Sequence, residues 1–481
     1  MTIGLCIALA LAAGSASATN GYYTHGVGTK SKGQAGAGSA NPEELMILAT
    51  NPAGITALPQ SIDAGVGIFS PMREYSTTAS QLPVPGGCFP PPGAEPSPAY
   101  CAFTIGPNDI SSRNEFFAIP FVGMNWALSD ADYLAAAFYA RGGMNTRWEG
   151  GTASFDTDGD PATAPVSPPG TFGGGDAGVD LMQAFLNLSY ARKFSEQFSA
   201  GASAIFAIQS FKAHGVSTYA PYTKTYVESY FTTGQPAMPT NLSGNGHEMS
   251  YGFGGSIGLL WQPTDMLSIS AAYTSKMSMS DLKDYSDLFA EGGGFDMPST
   301  WTVGLAVKPN DKLTLMFDVQ EVRYTDVESV SNPIQNLSGD PTDPTVTRCP
   351  ILATSPADAV SFENCLGGSN GPGFGWDDMM VYKFGVSYEY SDTWTWRAGY
   401  SQGDQPIPTD QMSFNILAPG VMEQHLTVGF TQKLESGNEV NLSFMYAPEE
   451  KVSGPNNFDP TQTVEFKMKQ IELEISYSWK R

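Results

Sequence analysis

Gln470-Ile471-Glu472-Leu473-Glu474-Ile475-Ser476-Tyr477-Ser478-Trp479, near the end of the chain, alternates strictly between polar and apolar side chains. Period two places Ile471, Leu473, Ile475, Tyr477 and Trp479 on one face of a strand and the polar residues on the other. The alternation returns at Leu426, Val428 and Phe430, at Tyr382, Phe384, Val386, Tyr388 and Tyr390, and at Leu313, Leu315, Phe317 and Val319. It is found again at Trp301, Val303, Leu305 and Val307, and at Leu267, Ile269, Ala271 and Tyr273. Weaker versions begin near Ile62, Phe116, Tyr133, Leu181, Phe198, Tyr251, Trp394 and Val440, which brings the expected count to fourteen strands. Segments of about ten residues with one apolar face are what a membrane-spanning barrel requires.

The connections alternate as well. Short polar links occur at Ser129-Asp130-Ala131-Asp132, Ser195-Glu196-Gln197, Thr264-Asp265, Asn310-Asp311, Ser391-Asp392 and Glu435-Ser436-Gly437-Asn438. Between them lie long stretches rich in Pro, Gly and Asp, at 76–115, 143–178, 213–247, 278–297, 325–378, 402–420 and 448–465. Short turns at one end and long loops at the other describe an outer-membrane barrel with its long loops outside the cell. An even number of strands closes the sheet without free edges; a monomer is expected. Trp126, Trp148, Trp261, Trp301, Trp394, Trp396 and Trp479 fall near strand ends and read as interface girdles.

Composition agrees. The 481 residues carry 24 Lys and Arg against 48 Asp and Glu, a net charge of -24, which excludes an ordinary nucleic-acid binder. Residues 1–18 read as an export signal: an apolar core over residues 3–13 is followed by Ala16-Ser17-Ala18, although no Lys or Arg precedes the core. Cys6 leaves with that signal. Of the three pairings open to Cys88, Cys101, Cys349 and Cys365, the local one is favoured, because each pair closes a short loop within one Pro- and Gly-rich stretch. Residues 19–60 do not alternate. They hold Gly33-Gln34-Ala35-Gly36-Ala37-Gly38, a helix-compatible run from Pro42 to Ala49, and Asn51-Pro52-Ala53-Gly54, and a barrel lumen has the scale to house them. The barrel proper is then 61–481.

Gly21-Tyr22-Tyr23-Thr24-His25-Gly26-Val27-Gly28, the glycine run 33–38, Asn51-Pro52-Ala53-Gly54, and Arg397-Ala398-Gly399-Tyr400 followed by Pro406-Ile407-Pro408 resemble the FadL family of outer-membrane transporters for long-chain fatty acids and other hydrophobic compounds. The resemblance spans essentially the whole mature chain. It implies that 19–60 is a hatch plugging the barrel, with Asn51, Pro52, Ala53 and Gly54 as its signature element. It further implies passive uptake, in which outer loops capture a ligand, an apolar pocket holds it, and it leaves sideways at a kinked third strand. Gly142 and Gly143, which follow the third strand's Tyr139, are the candidates for that opening because paired glycines weaken a ladder and allow a bulge.

Two loops offer ligand-capture residues. Tyr219, Tyr222, Tyr226 and Tyr230 are spaced as a helical stripe with Val227 and Phe231 beside it; Leu282, Tyr285, Leu288 and Phe289 form a second, with Asp281 as its cap. Packed together, the two helices would form an apolar groove; the competing reading is ordinary core packing. Lys312, Asp318, Lys383, Glu389, Arg397, His425, Glu472 and Glu474 are expected to face the lumen. Arg397 or Lys383 would suit a fatty-acid carboxylate, but a charge network bracing the hatch against the wall is the favoured reading. Gly254-Gly255-Ser256-Ile257-Gly258 matches a nucleophile-elbow pattern yet lies inside an alternating strand, and His25, His214, His247 and His425 have no identifiable acid partner, so no enzyme is expected. Asp156-Thr157-Asp158-Gly159-Asp160 lacks the glycine and distal glutamate of a calcium loop. Neither a cofactor nor a metal is called for. The expected partners are outer-membrane lipid and hydrophobic small molecules: fatty acids, alkanes or aromatics. The alternative is a structural or receptor barrel whose disulfide-stapled loops bind a surface partner without transport.

Overall fold

The computed structural model describes residues 20–93, 97–156, 158–339, 343 and 345–481; residues 1–18, expected to be an export signal, lie outside them. Sixteen strands share one sheet, and without the short strands Asp109–Ser111 and Ser278–Met279 fourteen of them make the wall. In chain order these are β1 (Ser61–Thr77), β2 (Phe117–Ala127), β3 (Asp132–Asn145), β4 (Gly178–Ser195), β5 (Phe198–His214), β6 (Glu248–Thr264) and β7 (Leu267–Thr274). They continue as β8 (Ser299–Asn310), β9 (Leu313–Arg323), β10 (Met379–Glu389), β11 (Trp394–Gly403), β12 (Gln424–Lys433), β13 (Glu439–Asn456) and β14 (Asp459–Lys480). Every neighbouring pair is antiparallel, and β14 returns to β1 with Ser61 opposite Lys480, which closes the barrel.

The alternation has the predicted sense. On β14, Ile471, Leu473, Ile475 and Trp479 are exposed, whereas Gln470, Glu472, Glu474, Ser476 and Ser478 are buried in the lumen. The greasy face therefore meets lipid and the polar face meets protein, as a barrel in a bilayer requires. Trp126, Trp261, Trp396 and Trp479 are exposed near the short turns. Trp148 is not part of a girdle: it is fully buried, and its Nε1 donates to the carbonyl of Ile416 at 2.8 Å.

Two sequence expectations are corrected here. The stretch 448–465 is not a loop, because β13 and β14 continue as a paired ribbon to a tight turn at Asn457-Phe458, with a bulge between Ala447 and Glu450. Lys312 and Glu389 sit exposed beside a short turn, where the Glu389 amide donates to the Lys312 carbonyl, rather than facing the lumen. Cys88 is bonded to Cys101 and Cys349 to Cys365, the local pairing, in the long loops.

Candidate functional site

Residues 20–58 lie inside the barrel and are tied to strands on several sides. Lys32 Nζ is ion-paired with Glu472 and, at 2.6 Å, with Glu474, both on β14. Lys30 Nζ reaches Glu439 of β13 at 2.7 Å. Arg397 of β11 donates from Nε to Glu43 at 3.0 Å and from a terminal nitrogen to Thr431 at 2.7 Å. Lys383 of β10 donates to the His25 carbonyl at 3.0 Å and to Gln320 at 2.9 Å. Asp318 of β9 accepts from the amides of Gly38 and Ser39 at 3.1 and 2.9 Å. Apart from the partly exposed Glu43, these groups are buried, so each would be costly without its partner. Arg397 and Lys383 are thus the bracing groups, and neither lies in the apolar cavity described below.

Asn51 shows why its short element has this composition. Its side chain donates to the carbonyls of Ser39 and Leu259 at 3.2 and 3.1 Å and accepts from the Ala53 amide at 3.1 Å, capping the turn Pro52–Ala57. The wall gives way to it: a Cβ at Gly258 would fall 2.1 Å from Asn51 Oδ1, and one at Gly399 would fall 2.2 Å from the backbone of Gln34. Gly258, the last glycine of the β6 pattern that mimics a nucleophile elbow, therefore makes room for the hatch. His425 Nδ1 lies 3.0 Å from Ser401 Oγ, but the pair is buried against the hatch, with the His25 and His425 rings stacked 5.6 Å apart.

Above the hatch, beneath the long loops, lies a small apolar cavity lined by Phe211, Leu288, Phe289, Phe374, Phe414 and Leu417 among others. Its lining includes no charged side chain. Beside it, a second small cavity is bounded by Arg73, Gly143, Asn145, Trp376, Ala418 and Met468, among others. The segment 414–418 separates the two. Trp148 holds it at the Ile416 carbonyl, Thr146 Oγ1 holds the Leu417 carbonyl at 2.7 Å, and Trp376 Nε1 donates to Asn415 at 2.6 Å.

The second cavity abuts an interruption in the wall. β2 and β3 pair only from Phe121 opposite Tyr139 to Ala127 opposite Tyr133. Beyond that, Phe117–Pro120 pair with β1 alone, and β3 bulges between Ala140 and Gly142 while staying paired with β4. Among the described residues no ladder joins the two stretches. Pro120 brings no N–H and the glycine pair brings no side chains to pack, so sequence and geometry agree. The wall closes again higher up, where Arg113 N donates to the Arg147 carbonyl at 3.0 Å. From inside, the hatch takes up the unpaired edge of β3: Thr24 N donates to the Arg141 carbonyl at 2.8 Å and Gly143 N to the Tyr22 carbonyl at 2.9 Å. The Tyr23 ring lies 4.8 Å from the Arg141 guanidinium carbon.

The two predicted capture helices are corrected. The first is a single α-helix only over Lys224–Thr233, behind a 3-10 turn at Ser217–Tyr222 that contains Pro221, so the four tyrosines do not share one stripe. Tyr219 lines the cavity and Tyr222 stacks on Phe458, whereas Tyr226 is half-buried and Tyr230 and Phe231 point outward, 45% and 53% exposed. The second is no helix over 281–289 but a 3-10 turn at Lys283–Tyr285, capped by Leu282 without a side-chain bond from Asp281. Leu282 and Tyr285 are buried beneath the loops, while Leu288 and Phe289 reach the cavity. Phe374, Phe414 and Leu417, which complete it, come from aperiodic Gly- and Pro-rich loops that gave no signal beyond their apolar character.

Comparison with known proteins bears on this geometry. The sequence model described as "Outer membrane protein transport protein (OMPP1/FadL/TodX)" matches residues 9–472. No curated protein sequence matches. Among solved structures, a Pseudomonas aeruginosa FadL homologue is similar at a TM-score of 0.60 and 16% identity over 96% of this chain and 99% of that one. The Pseudomonas putida toluene transporter TodX gives 0.59 and 16% over 96% and 100%. The Ralstonia pickettii toluene transporter TbuX gives 0.54 and 16% over 95% and 98%. At such identities the structural likeness establishes the fold.

Proposed function

This chain belongs to the outer membrane transport protein family (OMPP1/FadL/TodX), and from that premise we propose that it takes up hydrophobic molecules, long-chain fatty acids foremost, by sideways passage through its own wall. A cargo enters from the outer loops, rests in the uncharged cavity, passes the 414–418 partition and leaves between β2 and β3 into the lipid. The observation that carries this reading is the missing ladder between Phe117–Pro120 and Ala140–Asn145, sealed from inside by the hatch. A closed barrel has no need of unpaired strand edges, and in lipid each unpaired backbone group is expensive. Transfer needs no energy source, because burial of apolar surface drives capture, at about 0.8 kcal/mol per methylene, and the bilayer offers the same gain on release.

The apolar lining suits a monoaromatic such as toluene, the cargo named for TodX and TbuX, as well as an acyl chain. The test is uptake of labelled palmitate and labelled toluene by cells that express the chain and lack another such transporter. Ala118→Trp, placed on the edge of the opening, should slow uptake of both without changing the barrel's heat-modifiable migration. Uptake unaffected by that side chain would contradict sideways passage.

A further inference from the structure

We infer that Tyr219 is a specificity-determining residue whose hydroxyl donates a hydrogen bond to an uncharged oxygen on the cargo, so that the apolar cavity admits hydrophobic molecules bearing a neutral carbonyl or hydroxyl as well as plain hydrocarbons. The inference rests on the uptake reading above and adds the chemical class that the cavity selects.

Tyr219 sits in the 3-10 turn Ser217–Tyr222, where its amide donates to the Val216 carbonyl at 3.1 Å and the neighbouring Thr218 hydroxyl donates to the Phe172 carbonyl at 2.6 Å. Its ring is wedged among those of Phe103, Phe172 and Phe414, with centroids 5.4, 5.5 and 5.4 Å away, and lines the apolar cavity beside Phe414. The side chain is 2% exposed, and its hydroxyl has no hydrogen-bond partner among the described residues. Ring packing accounts for an aromatic residue at this position but not for its oxygen. A phenylalanine would fill the same space, and a buried hydroxyl left unpaired is costly. That cost disappears when a molecule in the cavity accepts the bond.

The rest of the lining narrows what that molecule can be. Apart from Tyr219, Ser329 is the one described lining residue whose side chain has a polar atom, and its hydroxyl already donates to the Gly294 carbonyl. No lining side chain is charged, so an ionised head would lose its water without gaining a counter-charge. Burial first, and Tyr222 second, hold the Tyr219 phenol well above its ordinary ionisation range, which keeps it a neutral donor. One neutral donor in an aromatic-walled space matches one acceptor oxygen on an apolar body. A ketone, an aldehyde, an alcohol or an un-ionised acid meets that description, and Phe289, Phe374 and Phe414 offer rings on which an aromatic body can pack. Without the donor the same oxygen would give up its bonds to water for nothing, and the cavity would turn it away.

The experiment titrates purified full-length protein with acetophenone and with α-methylstyrene, which share a carbon frame and differ in a carbonyl oxygen against a methylene. Tyr219→Phe keeps the ring among its neighbours and removes the hydroxyl alone. It should weaken acetophenone binding relative to α-methylstyrene by about fivefold, the effect of one neutral hydrogen bond. Tyr222→Phe, outside the cavity lining, should leave the ratio as it is in the wild type. An unchanged ratio in Tyr219→Phe, or an equal shift in Tyr222→Phe, would overturn the inference, since a hydroxyl that is satisfied by solvent or merely fills space has no means to tell the two probes apart. Should Tyr219→Phe fail to fold, the infrared carbonyl stretch of acetophenone bound to the wild type decides. It should fall below its frequency in an alkane, as a hydrogen-bonded carbonyl does, and an alkane-like frequency would overturn the inference. Binding of both probes with an unchanged ratio would refute the role of the hydroxyl and leave sideways uptake standing, whereas binding of neither would remove the cavity as a cargo site, and the uptake reading and this inference with it.

Discussion

The amide of Gly143 donates to the carbonyl of Tyr22 at 2.9 Å, so the third strand of the wall is hydrogen-bonded to the hatch where a second-strand partner is missing. The hatch is a substitute strand at this point, and the proposed passage through the wall would involve the same few residues. Tyr23→Ala removes the ring stacked against Arg141 and packed over Gly142. The Gly143 amide should then exchange its hydrogen about tenfold faster or more in native-state exchange, as expected when local opening becomes easier by about 1.4 kcal/mol. Amides in the middle of β14 should be unchanged.

Lys32 ties the hatch to two carboxylates of β14. Lys32→Met would strand Glu472 and Glu474 as buried carboxylates, and breaking a buried pair from one side costs about 3–5 kcal/mol. The expected result is a lower unfolding midpoint in urea and new protease cleavage within residues 20–60. Replacing Glu472 and Glu474 by Gln in the same chain should recover much of the loss, because no charge is then left unpaired.

Cavity residues and loop residues should separate cleanly. Phe289→Ala removes a lining ring, and a fully buried Phe is worth about 1.5–3 kcal/mol, so affinity for an apolar ligand should fall by about tenfold or more in equilibrium binding. Phe231→Ser, on the exposed face of the Lys224–Thr233 helix, should leave that affinity within about twofold.

That contrast shows how far the sequence could be read. Period two was enough for all fourteen strands, because the polar and apolar faces of a barrel wall obey one rule throughout. It failed at 448–465, where Pro448, Gly454 and Pro455 look like loop punctuation but sit in a bulged ribbon. Helical spacing suggested that Tyr226 and Tyr230 share a face, yet spacing does not say what that face meets, and Tyr230 meets solvent. The glycine pair beside the opening was visible. The absent ladder was not, since it depends on which strand edges fail to meet, and the cavity depends on Phe374, Phe414 and Leu417 brought together by loops with no period.

Acid should loosen one clasp between the long loops. A hydrogen bond from Lys224, followed by the Ser369 amide, holds the Glu363 carboxyl down at about 2. Because the folded value lies below the ordinary value of 4.5, the contribution is complete above pH 4.5 and is lost as pH falls toward 2. Protection against hydrogen exchange across 222–226 and 363–369, relative to the free-peptide rate at each pH, should therefore fall between pH 4.5 and 2 in the wild type, and Glu363→Gln should already be weakly protected at neutral pH. The pair is largely exposed, so overall stability should change little.

Sideways passage is tested most directly by locking the opening. Pro120 and Ala140 would be directly opposite if the β2–β3 ladder continued one step past Phe121 and Tyr139, so Pro120→Cys with Ala140→Cys can join the strands by a disulfide. With the bond formed, as verified by mass, uptake of labelled palmitate should drop to the level of cells without the protein and return on reduction, while reduced and oxidised wild type behave alike. Undiminished uptake through the locked barrel would contradict the account, because cargo would then be leaving by another route.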